Sequence, residues 1–354
     1  MSRPIPFTIL LLTIGTLGGE AAFALSLPLP FMIGSLLASA SVAILAPMRF
    51  PAGYVFPNRF RTWVITLVGA AIGAQVSPQV LSGAAIYIPS LLAILLFVPL
   101  SHMMGYRILR HAGGYDRADA FFGAAPGGFV ESIALAEEAG ADIRHVTMLH
   151  FLRIILVIVI VPFLMSLYLG HAVGSAQGAR LGNGGFDAPG LAIAVGAAVA
   201  GYGLGQLLHL PARHMIGPIL AAALLAGSGL AQPQVPGALV AAAQIVIGTS
   251  LGARFAGASL RMLWRAFGLS LLLVTASLLL GLLIAWILHM ATGLATEALI
   301  LSFTPGGVTE MALIALAISG NSAIVVAHHV LRIIATVLMM STFLRRTDFL
   351  KKPG

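Results

Sequence analysis

Pro126-Gly127-Gly128-Phe129-Val130-Glu131 returns as Pro305-Gly306-Gly307-Val308-Thr309-Glu310, at an offset of 310 − 131 = 179 residues. Both copies lie inside apolar sequence. Proline and glycine interrupt the backbone ladder, and a carboxylate at the centre of a bilayer costs about 2.5–3.5 kcal/mol on insertion scales. A pair of such breaks, half a chain apart, calls for one common cause.

The surroundings supply it. Of 354 residues, 59% are hydrophobic and 8% are charged, whereas a soluble domain carries about 25% charged residues. So few charges cannot cover a water-facing surface, so the sequence predicts a chain whose solvent is lipid. The chain has no cysteine, which excludes disulfides and thiolate metal sites. The net charge of +8 sits in short loops and the tail. It reads as an orientation signal and not as a basic face for nucleic acid. Arg3, an apolar run and Ala22-Phe23-Ala24 imitate a cleaved signal peptide. That stretch has a counterpart after Gly190, which assigns it to the mature fold.

Spans of about 17–25 apolar residues, or slightly fewer, mark the candidate crossings. In the first half they run 6–25, 31–46, 63–76, 84–109, 116–139 (holding the first break) and 144–169. In the second they run 190–210, 214–229, 239–255, 263–290, 294–318 (holding the second break) and 323–344. Colinear matches tie the halves together. Met32-Ile33-Gly34 answers Met215-Ile216-Gly217, and Gly69-x-x-x-Gly73 answers Gly248-x-x-x-Gly252. His150-x-Leu152-Arg153-Ile154-Ile155 answers His329-x-Leu331-Arg332-Ile333-Ile334. The expected organisation is a first membrane repeat over 1–170, a connector over 171–189, a second repeat over 190–345 and a basic cytoplasmic tail over 346–354.

Lys and Arg mark the cytoplasmic side. If the two broken segments crossed fully, the basic loop near Arg254 and Arg261 and the basic tail would fall on opposite sides. If they enter and return as hairpins, five crossings per half remain, both termini lie inside, and the odd number inverts one half relative to the other. The predicted fold is therefore an all-α polytopic membrane protein of two inverted repeats. It has about ten transmembrane helices plus two Pro-Gly-Gly-broken segments. A single broken crossing in each half is the alternative.

The chemistry-bearing residues cluster at the breaks. Glu131 and Glu310 fall at the start of half-helices, whose free N–H groups attract anions. Paired discontinuous segments are the sequence mark of a transporter binding site. The plainer alternative is that each glutamate caps its helix or pairs with an arginine. Arg153 and Arg332 lie deep in apolar helices, with His150 and His329 three residues earlier on the same face. An arginine fork suits a carboxylate, either a substrate's or that of Glu131 or Glu310. The histidines could relay protons, or could simply be satisfied interhelical donors. Ser132 and Thr309 flank the glutamates as hydroxyl candidates, and Thr309 faces Val130 in the other copy, so the two sites are unequal. Gln75 and Gln244 suit interhelical hydrogen bonds, the Gly-x-x-x-Gly pairs suit close packing, and Glu20 lacks a matched partner. His145, His150, His328 and His329 do not form a ligand set for copper or zinc. No cofactor is expected.

The two Pro-Gly-Gly-x-x-Glu motifs, the two Leu-Arg-Ile-Ile blocks and the two Met-Ile-Gly segments together resemble the bacterial membrane AbrB family, a protein built from two copies of the AbrB duplication. The resemblance covers nearly the whole chain. The family is labelled a regulator of gene expression or an ammonia monooxygenase. The Leu-Pro…Met-Ile-Gly segments also loosely resemble the second helix of cation–proton antiporters and bile-acid-type symporters, an analogy at the level of fold.

The expected function is a secondary transporter, not an enzyme, in the bacterial inner membrane. It would carry a small polar or anionic solute, with proton coupling through Glu131 and Glu310. Expected partners are lipid, the solute and a second copy of the chain, and no nucleic acid. The alternatives are a membrane-embedded regulator acting indirectly on gene expression and, last, a metal-dependent monooxygenase.

Overall fold

The computed structural model describes residues 4–51, 53–76, 84–173, 187–210, 212–256, 260–318 and 321–346. Most of the connector, 174–186, and the tail beyond 346 lie outside the described residues, so the readings placed on them stay expectations. Among the described residues the regular structure is entirely helical. Seven helices among the described residues are long and apolar enough to span a membrane.

In chain order the helices are α1 (Pro4–Ala24), α2 (Pro30–Leu45), α3 (Asn58–Gly73), α4 (Ile88–His111), α5 (Arg117–Gly123), α6 (Phe129–Glu138) and α7 (Ile143–Leu169). They continue with α8 (Ala188–Leu207), α9 (Arg213–Gly227), α10 (Gly237–Gly252), α11 (Leu260–Thr292), α12 (Thr296–Phe303), α13 (Val308–Ala317) and α14 (Ser322–Arg346). Each Pro-Gly-Gly sits between two short helices, α5/α6 and α12/α13. Neither member of either pair approaches the roughly 20 residues a single crossing needs.

The chain forms two compact units. The first comprises Met1–Ala84, Val161–Ser259 and Ala312–Ala323. In it α2 packs on α1 and α10, and α9 packs on α8 and α3. The contacts are backbone to backbone. A Cβ added at Gly18 would lie 2.5 Å from the Gly34 carbonyl, and one at Gly201 would lie 2.5 Å from the Gly217 carbonyl. Gly69 and Gly73 of α3 press on Met215 and Ile219 of α9, while Gly248 and Gly252 of α10 press on Met32 and Leu36 of α2. The small residues therefore pack as the spacing predicts: without side chains at these points, helices approach to carbonyl contact and gain dispersion energy that lipid cannot replace.

The turns entering α2 and α9 also correspond. Ser26 and Leu29 have φ of 54° and 41°, and His209 and Ala212 have 51° and 44°. Both offsets are 183 residues (209 − 26 and 212 − 29). Left-handed backbone at four non-glycine residues costs of order 1–3 kcal/mol each and persists only where surrounding packing fixes it. For Leu29 the packing is evident: its side chain is fully buried, its N–H donates to the Val173 carbonyl at 2.7 Å, and Pro30 starts α2. Gln75, in the turn after α3, accepts a hydrogen bond from the hydroxyl of Ser322 at the start of α14, at 2.8 Å.

The second unit comprises Ala85–Ile160, Leu260–Met311 and Ile324–Gly354. Here α4 packs on α11, and α12 packs on α11. Ile94, Phe97 and Val98 of α4 share a core with Ala285 and Leu288 of α11 and with Leu299 and Phe303 of α12. A second core joins Phe121 and Phe122 of α5 to Ala136 of α6, Val146 of α7 and Met340 of α14. Both Pro-Gly-Gly breaks belong to this unit.

Candidate functional site

The first break ends α5 and starts α6. Gly128 adopts φ +63°, a left-handed position that glycine fills without a Cβ penalty, and α6 begins at the next residue. Three pairs of contacts fix the direction of the surrounding helices. Asp119 meets His145, with carboxylate to Nδ1 at 2.9 Å; the Phe122 carbonyl meets His150; and the Ala125 carbonyl meets Arg153. Sequence numbers rise together along α5 and α7, so the two helices run parallel with their starts level. The backbone N–H of Asp142, beyond the end of α6, also donates to Asp119 near the start of α5, at 2.8 Å. Helix α6 therefore runs back along α5, and the first broken segment is a hairpin. In the second half, Leu301 meets His329 and Thr304 meets Arg332, so α12 and α14 are parallel in the same way.

Each arginine acts as the missing end of a helix. The last carbonyls of an α-helix have no partners within it, and its C-terminus carries partial negative charge. Arg153 Nη1 donates to the Ala125 carbonyl and its Nη2 to His150 Nδ1 at 2.9 Å, while His150 Nε2–H donates to the Phe122 carbonyl at 2.8 Å. The second half repeats this arrangement. Arg332 Nη1 donates to the Thr304 carbonyl and Nη2 to His329 Nδ1 at 2.7 Å, and His329 Nε2–H donates to the Leu301 carbonyl at 3.0 Å. In every case the partners are 28 or 3 residues apart in both halves. Each Nδ1 accepts from a guanidinium, so both rings are fixed as the Nε2–H tautomer. The histidines act here as satisfied interhelical donors.

Of the two carboxylate partners open to each arginine, that of Glu131 or Glu310 is not among its bonds within the described residues, which go to main-chain carbonyls and a histidine. Arg144 pairs with Asp142 and His145 with Asp119, and among the described residues no ion pair joins Glu131 or Glu310 to Arg153 or Arg332. The reason is competition. Unpaired helix-end carbonyls buried in an apolar core require donors, and a guanidinium on the adjacent parallel helix is directly in reach.

The glutamates instead fold back on their own helix starts. Glu310 is 5% exposed, and its carboxylate occupies the space a side chain at Gly307 would need. Glu131 Oε2 lies 3.4 Å from the corresponding Cβ position at Gly128. Both acids stand in the first turn, where the helix dipole favours negative charge.

The two breaks differ in how the middle carbonyl is held. Gly306 O accepts from Arg332 Nη2 at 2.5 Å, whereas Gly127 O accepts from the Ser132 hydroxyl at 3.2 Å. Met311 stands where Ser132 would be in the second half. Each break also touches the long helix of the other half: Gly127 lies against Arg332 and Thr336 of α14, and Gly306 against Val157 of α7. Thr336 and Val157 are equivalent positions (336 − 157 = 179). Pro126, Pro305, Ser132 and Thr309 are all buried.

Two residues of this region escape a search for repeated motifs. Asp119, 6% exposed, joins α5 to the start of α7, and Ala298 stands in its place in the second half. His102 of α4 stacks edge-on against Phe121 at 4.5 Å, and its counterpart is Gly281. Because neither recurs, the duplication gives no signal for them. The signal available was a lone acid or imidazole inside an apolar span.

Residues 31–348 match the family described as "Transition state regulatory protein AbrB". The chain is 28% identical over 330 residues to "Putative regulator AbrB" of Escherichia coli (strain K12), covering 93% of this chain and 91% of that protein. It is 26% identical over 358 residues to "Uncharacterized protein YhjN" of Bacillus subtilis (strain 168), covering 94% of this chain and 91% of that one. With the match spanning most of its length, the chain belongs to the AbrB family.

Proposed function

We propose that the protein is a secondary transporter of a small polar or anionic solute, built from two inverted halves in the bacterial inner membrane. Ten crossings are completed by two re-entrant hairpins. The observation that carries this reading is the matched pair of interrupted segments in one compact unit. Each sets an acid at a half-helix N-terminus and a buried arginine at the preceding half-helix C-terminus. Irregular backbone at membrane depth is tolerated where protein or a water-filled cavity satisfies it, and broken helix pairs in corresponding positions mark binding sites of such carriers. The fold-back of α6 along α5 and the parallel alignment of α12 with α14 support hairpins. An odd number of crossings per half, with the basic loops and both termini cytoplasmic, is the arrangement that the charge pattern favours. Glu131 and Glu310 would carry the coupling proton.

Uptake into proteoliposomes under an imposed pH gradient tests the reading. Glu131→Gln and Glu310→Gln should each abolish proton-coupled flux; undiminished flux in both would remove the coupling role. The second reading is a membrane-embedded regulator, favoured by the names of the family and of the Escherichia coli relative. It predicts ligand binding without flux and a stable soluble partner recovered from membranes.

A further inference from the structure

His328 of α14 is fully buried and takes no part in the clamp that Arg332 and His329 form. Both of its ring nitrogens have partners. Nδ1 lies 2.8 Å from the Ile324 carbonyl, one turn back on its own helix. Nε2 lies 2.9 Å from the hydroxyl of Ser90, also fully buried, near the start of α4. The Ser90 hydroxyl in turn donates to the Tyr87 carbonyl at 2.8 Å. Phe303, the last residue of α12, meets the imidazole edge-on at 6.0 Å.

A neutral imidazole leaves this chain of bonds one proton short. A carbonyl only accepts, so the bond to Ile324 needs a proton on Nδ1. A Ser90 hydroxyl that donates to Tyr87 offers Nε2 only a lone pair, so that bond needs a proton on Nε2. Neutral histidine carries one N–H. As the Nδ1–H tautomer it must take the Ser90 proton, and the Ser90–Tyr87 bond is given up. As the Nε2–H tautomer it turns a lone pair on the Ile324 carbonyl. The imidazolium makes all three bonds at once.

The first half holds an apolar version of the same contact. Leu149 stands in the place of His328 (328 − 149 = 179), Leu269 in that of Ser90 (269 − 90 = 179) and Ala124 in that of Phe303 (303 − 124 = 179). All three meet in one core. The contact recurs and its polarity does not, so packing alone does not account for the imidazole.

The titratable and charged residues nearest in sequence to these contacts are Tyr87 before α4, Glu297 of α12, and His329 and Arg332 of α14. Helix α11, which packs on α4 and α12, adds His289, bonded to the Leu294 carbonyl. Among the described residues no carboxylate pairs with His328. Burial therefore opposes a charge on the ring, while the bond count favours it. Opposed terms of this kind suit a group that exchanges its proton.

We infer that His328 is a reversible proton-binding site. The ring takes one proton from water at Nε2, and the Ser90 hydroxyl keeps its own proton and turns it from Nε2 to the Tyr87 carbonyl. The purpose of the site rests on the transport reading, in which His328 adds a coupling-proton site to Glu131 and Glu310, beside the end of α12 where the second break begins.

The test is nitrogen NMR of isotope-labelled histidine in the detergent-solubilised full chain, from about pH 8 to about pH 5, the range in which imidazole changes charge. The His328 signals are those lost in His328→Leu/Ser90→Leu, a pair that copies Leu149 and Leu269 and should preserve the melting temperature. Nε2 should be bare at the upper end of the range, and both nitrogens should be protonated at the lower end. Ser90→Ala removes the acceptor of the second N–H. It should lower the proton affinity about tenfold, the difference between a charge-assisted and a neutral bond. A ring that carries the same number of protons throughout overturns the inference, as does a titration that Ser90→Ala leaves in place. Uptake driven by a pH gradient in proteoliposomes, with a His328 that never titrates, removes the site and keeps the transport reading. A titrating His328 in a protein that binds ligand without flux keeps the site and removes the transport reading.

Discussion

Arg153 and Arg332 occupy matched settings, which allows one comparison to isolate one hydrogen bond. Replacing either by Met removes a buried charge of the same kind from the same kind of site, so the relief of desolvation is common to both. The bonds lost are not. Arg153 loses the Ala125 carbonyl and His150, whereas Arg332 loses the Thr304 carbonyl, His329 and, in addition, the Gly306 carbonyl at 2.5 Å. A hydrogen bond to a charged group contributes about 1.5–3 kcal/mol, and stranding a buried carbonyl adds to the loss. Arg332→Met should therefore destabilise the protein by about 1.5–3 kcal/mol more than Arg153→Met. Unfolding in mixed micelles by titration with a denaturing detergent, followed by circular dichroism, gives both values on one scale. Equal losses, or a larger loss for Arg153→Met, would refute the view that the guanidinium clamps the second break through Gly306.

Three further outcomes follow from the geometry. Gly307→Ala drives a methyl into the Glu310 carboxylate and should destabilise by about 1–3 kcal/mol; in a Glu310→Ala background most of that penalty should vanish, as a double-mutant cycle would show. Gly128→Ala should cost about 1–2 kcal/mol whatever stands at Glu131, because its penalty comes from the φ of +63°. In the loop before α7, the Arg144 side chain holds the Asp142 carboxyl at about 2, below its ordinary 3.8. That contribution is complete above the ordinary value and is lost as pH falls through about 2, so Arg144→Ala should return the Asp142 titration, read by carboxyl NMR, toward 3.8.

Much of this fold is legible in the sequence because the duplication writes it twice. The Pro-Gly-Gly motifs place the backbone breaks, and Gly69, Gly73, Gly248 and Gly252 mark helix contacts. The loop charges point to hairpins over full crossings. What the sequence does not disclose is which acceptor an arginine prefers. Carboxylates are visible as letters, whereas the orphan carbonyls of Ala125 and Thr304 exist only once α5 and α12 end beside α7 and α14. From the letters alone a carboxylate, a substrate's or that of Glu131 or Glu310, is the partner an arginine suggests, and a main-chain carbonyl is not. Asp119 and His102 stayed hidden for the opposite reason: a comparison of halves rewards what the halves share, and these residues are what they do not.

The hydroxyl of Ser132 holds one middle carbonyl and the guanidinium of Arg332 the other, a neutral bond against a charge-assisted one. If the protein alternates between two faces, such a difference cannot rectify net flow by itself, because detailed balance forbids a passive carrier from favouring one direction at equilibrium. It can make the forward and reverse half-cycles unequal in speed. A carrier of this design would saturate differently from each side of the membrane while obeying the same overall equilibrium.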